Sequence, residues 1–264
     1  MTIRDHEFVE LTTESGPMRT QVFRPQAPGR YPGIVLYSEI FQVTAPIRRS
    51  AAFLAGHGYV VAVPEIWHEF EAAGCALGYD QAGADRGNAL KLLKRLEHID
   101  ADGRTVLTFL KGHAACTGRL GTLGICVGGH LSLRLAAKNA EVLAATCFYA
   151  TDVHKGSLGE GMNDDTLTST RGMTAEALLV WGRQDPHVPG WGRAKLYSAL
   201  TEYGVNFTWH EFNGQHAFLR DEGPRYDPAL ARLSFDLVLE LFHRRLGEGD
   251  RPVTAAAGRS ESRH

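Results

Sequence analysis

The sequence predicts an α/β protein in which a mostly parallel central sheet is covered by helices on both faces. Three observations carry that prediction. Short apolar runs are bounded by turn residues, longer stretches of helical spacing lie between them, and Gly124-Ile125-Cys126-Val127-Gly128 sits between one such run and one such stretch.

Taken in order, the chain opens with two alternating segments, EFVELTT and MRTQVFRP, on either side of the turn-like ESGP. Alternation at period two about a turn predicts an antiparallel hairpin at one edge of the sheet. The buried strands are expected at YPGIVLY (31–37), YVVAVPE (59–65), RLGTLGI (119–125), LAATCFY (143–149), ALLVWG (177–182) and NFTWHEF (206–212). Helical spacing predicts helices over 47–56, 88–98, 102–112, 128–138, 190–203 and 228–246. One domain over 1–246 accounts for this alternation. The polar, Gly-rich stretch 151–174 leaves a strand's carboxyl end, where lids and pocket walls are built. The Gly, Arg and Ser-rich tail 247–264 has no apolar periodicity and is expected to be disordered.

Composition narrows the partners. The chain has 264 residues, 44% hydrophobic and 22% charged, and its 28 basic and 30 acidic side chains give a formal net charge of −2. Nothing there makes a positive field for nucleic acid or for an anionic membrane, so a small-molecule partner is expected. The charged start MTIRDHEFVE is unlike a secretory signal, and no run approaches the ~18 to 20 apolar residues of a membrane span, so a cytoplasmic location is expected. The four cysteines show no CxxC spacing, and neither a disulfide framework, a metal site nor a cofactor is expected. Trp67-His68-Glu69 could line a pocket, but WHEFE lacks the HExxH spacing of a helical zinc site.

Parallel sheets of this kind place ligand sites at the carboxyl ends of their strands. The GxCxG sequence stands at such an end, and a nucleophile on a sharp strand-to-helix turn needs small neighbours, which Gly124 and Gly128 supply. The adjoining helix N-terminus favours a thiolate at Cys126. The N–H of Val127 is one candidate oxyanion donor, and Ile40, in the loop after the strand ending at Tyr37, is expected to supply the second. Asp185 in WGRQDPHVP and His216 in NGQHAFL follow two later strands, which delivers nucleophile, acid and imidazole to one edge in that order. The imidazole would move protons while the carboxylate fixes its tautomer. His187 is a near competitor, too close in sequence to Asp185 to be oriented by it.

Taken together, GICVGGH, WGRQDPHVP, NGQHAFLR and YSEIFQV resemble the dienelactone hydrolase family (carboxymethylenebutenolidases) over about residues 5–245. The resemblance implies the α/β-hydrolase fold, a cysteine nucleophile with Asp185 and His216 as its triad partners, and a regulatory role for Glu39. A carboxylate near the sulfur opposes thiolate formation by like charge, so the resting thiol should be quiescent. By the same resemblance an anionic lactone displaces Glu39, which then takes the thiol proton. Arg220 and, in ADRGNALK, Arg86 match the arginines that hold the substrate carboxylate. Leu90 stands where typical members carry a tyrosine, a departure that bears on which lactone is used. An esterase or thioesterase for another small acid is the nearest alternative, and a non-enzymatic thiol sensor a more distant one.

Overall fold

The computed structural model describes residues 1–247, so all of the expected tail except Gly247 lies outside the described residues. The hairpin forms as expected. Strand β1 (Ile3–Thr13) pairs antiparallel with β2 (Gly16–Pro25), and its residues alternate between half-buried and exposed. That alternation is what a strand with one solvated face requires. Beyond it come β3 (Tyr31–Tyr37), β4 (Val60–Pro64), β5 (Cys116–Ile125), β6 (Val142–Phe148), β7 (Glu176–Gly182) and β8 (Phe207–Phe212). The eight strands form one sheet in the order β1-β2-β4-β3-β5-β6-β7-β8. The pairs from β4 through β8 are parallel, and β2 joins them antiparallel through β4.

Helices cover both faces. They are α1 (Ala45–Gly56), α2 (Gln81–Leu93), α3 (Leu96–Gly112), α4 (Val127–Lys138), the single turn α5 (Thr166–Ser169), α6 (Gly190–Glu202) and α7 (Pro228–Leu246). Side chains of successive strand residues point to opposite faces. Leu120 and Gly121 on β5 show this: Gly33, paired with Leu120, faces Leu110 of α3, whereas Gly121 faces Leu246 of α7. Phe53 of α1 stacks near Phe235 of α7 with centroids 4.7 Å apart, so those two helices share a face. Covered on both sides, β4 and β7 are buried throughout.

One helical expectation needs correction. A single helix over 88–98 does not form: α2 begins earlier, where Asp80 accepts a hydrogen bond from the Gly83 N–H at 2.8 Å, and ends at Leu93. Lys94 and Arg95 are extended, and α3 starts at Leu96 rather than at 102. The break turns the Lys94 side chain inward, where its ammonium lies 2.6 Å from Asp102 and 2.8 Å from Glu69. Helical periodicity cannot report such a break, because Lys is a good helix former and neither Asp102 nor Glu69 lies within a helical turn of it in sequence.

The stretch 151–174 leaves β6 as expected, and two aspartates fasten it to α4. Asp164 receives Arg134 at 2.9 Å and His130 Nε2 at 3.0 Å, while Asp165 receives Arg134 at 2.7 Å and Lys138 at 2.9 Å. Only its first residues reach the cleft described next, as wall residues Thr151, Asp152 and Lys155.

Candidate active site

The site lies where the strand order reverses. The chain leaves β3, crosses outward to β4 and returns on the other side of β3 as β5, which opens a crevice at the carboxyl ends of β3 and β5. Glu39 follows the first of these strands and Cys126 the second.

Cys126 is the only residue between β5 and α4, and it has φ 62° and ψ −121°. A non-glycine residue in that region costs about 1–3 kcal/mol and persists only where its surroundings hold it. Here its N–H donates to Phe148 O at 3.0 Å and its carbonyl accepts from Gly129 N–H at 3.0 Å. The flanking glycines are required sterically: a Cβ on Gly124 would run into the Gly128 carbonyl, and one on Gly128 into the carbonyls of Tyr37 and Ser38. Val127 opens α4, where the first N–H groups have no partner within the helix. Ile40 forms part of the cleft wall, and Trp67 holds its loop by donating Nε1–H to Ile40 O at 2.9 Å. Trp67 therefore braces the wall from behind, almost wholly buried.

Asp185 and His216 arrive from β7 and β8 as the chain order suggested. His216 Nδ1 lies 2.6 Å from Asp185 Oδ2, and the other carboxylate oxygen accepts from the His187 N–H at 2.7 Å. His187 contributes that backbone bond and a ring edge, 4.6 Å from the His216 centroid, and its side chain is exposed. Burial opposes a charge on His216, but an ionised Cys126 sulfur and the Asp185 carboxylate outweigh it, so that against a thiolate the imidazole is raised to about 10. Burial likewise disfavours the Asp185 anion, and its bonds to His216 and to the His187 N–H outweigh this and hold the carboxyl below its ordinary value.

Glu39 is buried in the same cleft. Burial raises its carboxyl above the usual range, opposed by Arg220, His216 and Tyr79. Arg220 Nη1 stands 3.9 Å from Glu39 Oε1, and the Tyr79 hydroxyl donates to Oε2 at 3.1 Å. Tyr79 escaped the sequence analysis, although its place directly before the α2 cap, in the loop leaving β4, puts it at the same sheet edge.

Arg86 is not part of the wall. It is exposed, pairs with Glu71 at 2.6 Å and does not line the cavity of about 240 Å³ that Cys126, His216 and Glu39 share. Of the α2 residues that line the cleft, Ala84, Asn88 and Lys91, the cationic one is Lys91, paired with Asp152 at 2.7 Å. The offset of five residues is more than one helical turn, and it is Leu90, buried in the core, that fixes which side of α2 faces inward. Elsewhere His68, Glu69 and Asp102 converge with ligand atoms within 4.8 Å of one another, and the Lys94 ammonium sits among them. Of the other cysteines, Cys116 and Cys147 are buried and Cys75 is half-buried beside Glu71.

With the geometry in place, comparison with known proteins decides the kinship. The sequence model of the dienelactone hydrolase family matches residues 18–246. The chain belongs to the dienelactone hydrolase family. A protein of Saccharomyces cerevisiae named "putative carboxymethylenebutenolidase" is 39% identical over 251 residues, covering 90% of this chain and 91% of its own. A carboxymethylenebutenolidase of a Pseudomonas species is 26% identical over 221 residues, covering 83% and 87%. Among solved structures, a "putative dienelactone hydrolase" from Klebsiella pneumoniae superposes with a TM-score of 0.78 at 20% identity, over 92% of this chain and all of the other, a likeness of fold. Membership of the dienelactone hydrolase family makes the protein a hydrolase of the lactone and ester class with a small-molecule substrate. No helix among the described residues is long and apolar enough to cross a membrane.

Proposed function

We propose that the protein opens an unsaturated lactone bearing a carboxylate, of the dienelactone-to-maleylacetate type, through an acyl-enzyme on Cys126. The observation that carries this reading is the buried Glu39, facing Arg220 in the cleft that also holds Cys126 and the His216–Asp185 pair. At rest the Glu39 charge opposes a thiolate on Cys126. A substrate carboxylate pairing with Arg220 takes over that guanidinium, and Glu39 accepts the thiol proton. The thiolate attacks the lactone carbonyl, with the N–H groups of Val127 and Ile40 as oxyanion donors, and the ring C–O bond breaks to leave a thioester and an enolate oxygen, which takes back the proton held by Glu39. His216, oriented by Asp185, then deprotonates the water that releases the acid and returns the proton to the sulfur.

A specific observation favours keeping a second reading. Arg86 is paired with Glu71 outside the cleft, so one of the two expected carboxylate contacts is missing, and an ester or thioester of another small acid fits the same machinery. Assays of the purified protein on dienelactone and on neutral aryl esters, with Cys126→Ser as control, separate the two. Turnover of dienelactone that collapses on removing Arg220 is expected. Activity confined to neutral esters and indifferent to Arg220 would exclude the lactone reading.

A further inference from the structure

Three groups converge on Tyr79, two of them, Glu39 and Arg220, from the cleft. Its hydroxyl lies 2.7 Å from Thr44 Oγ1 and 3.1 Å from Glu39 Oε2, and the Arg220 guanidinium carbon stands 4.2 Å from the centre of its ring. Phe41 meets the ring edge-on with centroids 4.8 Å apart, which fixes its plane. A phenol has one proton to donate. Given to Glu39, which as an anion can only accept, that proton leaves the phenolic oxygen to accept from Thr44. The chain of donation then runs Thr44 to Tyr79 to Glu39.

The arrangement explains why Arg220 and Glu39 are neighbours without being a close pair. At 3.9 Å their nearest atoms are well outside the roughly 2.7–2.9 Å of a charge-assisted hydrogen bond, although both side chains are buried. The ring face engages the cation while the hydroxyl satisfies the anion. A bidentate Arg220–Glu39 pair would have to be broken before Arg220 could receive another carboxylate.

We propose that Tyr79 is a positioning residue that holds Glu39 toward Cys126 and keeps Arg220 open to an incoming carboxylate. This rests on the reading of Glu39 and Arg220 given above, and it assigns substrate selection to a residue that does not itself react. The charged and titratable groups facing Glu39 are Arg220, His216, Tyr79, Arg225 and Tyr149. Of these Tyr79 alone touches both Glu39 and Arg220.

The test is Tyr79→Phe, which keeps the ring and removes the hydroxyl, compared with Thr44→Val, which removes only the upstream donor, and with Glu39→Gln. In Tyr79→Phe, KM for an anionic lactone should rise about tenfold, of the order expected for one hydrogen bond to a charged group, with kcat changed much less. Neutral ester turnover should not fall. Alkylation of Cys126 by iodoacetamide in the free protein, followed by peptide mass spectrometry across pH, should be faster than in the parent because less negative charge is held against the sulfur. Thr44→Val should move the same readouts in the same direction by less. If Tyr79→Phe matches the parent in KM, pH profile and alkylation while Glu39→Gln alters them, the role given to Tyr79 is wrong and that of Glu39 stands. If Glu39→Gln also matches the parent, both fall.

Discussion

His216 Nδ1 and Asp185 Oδ2 lie 2.6 Å apart across 31 positions of sequence, in adjacent loops beyond the parallel strands β7 and β8. The contact leaves His216 Nε2 as the nitrogen able to take a proton, since Nδ1–H is committed to the carboxylate. His216→Ala should lower kcat on the preferred substrate by roughly 10²–10⁴, the usual worth of positioned acid–base catalysis. Because acylation is assigned to Glu39 and deacylation to His216, the same variant should accumulate a covalent acyl adduct on Cys126. Intact-protein mass spectrometry during turnover would reveal it, and rapid turnover without any adduct would contradict the division of roles.

Replacing Arg220 by Met keeps a long apolar stem and removes the charge. KM for an anionic lactone should rise by about 10- to 100-fold, in line with a charge-assisted contact, whereas neutral esters should be processed as before. Equal losses on both substrates would mean that Arg220 shapes the cleft instead of binding an anion.

Gly124→Ala should prevent native folding or cost several kcal/mol, because its Cβ would meet the Gly128 carbonyl inside the elbow with no flexible side chain to yield. Denaturant titration of the purified variant is the measurement, and a midpoint equal to the parent's would show that the elbow can relax.

Asp164 ties the stretch after β6 to α4. Burial works against its charge, but the bond from His130 and the neighbouring Arg134 outweigh it and depress its carboxyl below the ordinary value. A depressed folded-state value means that the unfolded chain binds the proton more tightly. The contribution is therefore present above the unfolded value of about 3.9 and is lost as pH falls through the folded one. Thermal unfolding of the parent should lose stability below about pH 4, and Asp164→Asn should show a shallower fall. Arg134→Met, which removes the guanidinium shared by Asp100, Asp164 and Asp165, should cost about 3–5 kcal/mol near neutrality. A variant as stable as the parent would show that the other partners of these carboxylates suffice.

Much of this architecture was legible because its signals are local. Apolar runs bounded by turn residues marked the strands to within a few residues, and β3 was located at both ends from YPGIVLY alone. The elbow could be read because three requirements fall within five consecutive residues. The ordered positions of Cys126, Asp185 and His216 at strand ends then needed only the rule that parallel strands deliver their carboxyl ends to one edge.

What the sequence determined by itself is the alternation of elements and the identity of the residues at that edge, since both follow from periodicity and from glycine's small size. Tertiary structure alone decided which charges meet. Lys94 leaves the helical path for Asp102, Arg86 turns to Glu71 while Lys91 enters the cleft, and Tyr79 stands between Glu39 and Arg220. Long polar side chains have many rotamers and no periodic signature, so their partners are fixed only when packing brings distant segments together and burial makes an unpaired charge costly.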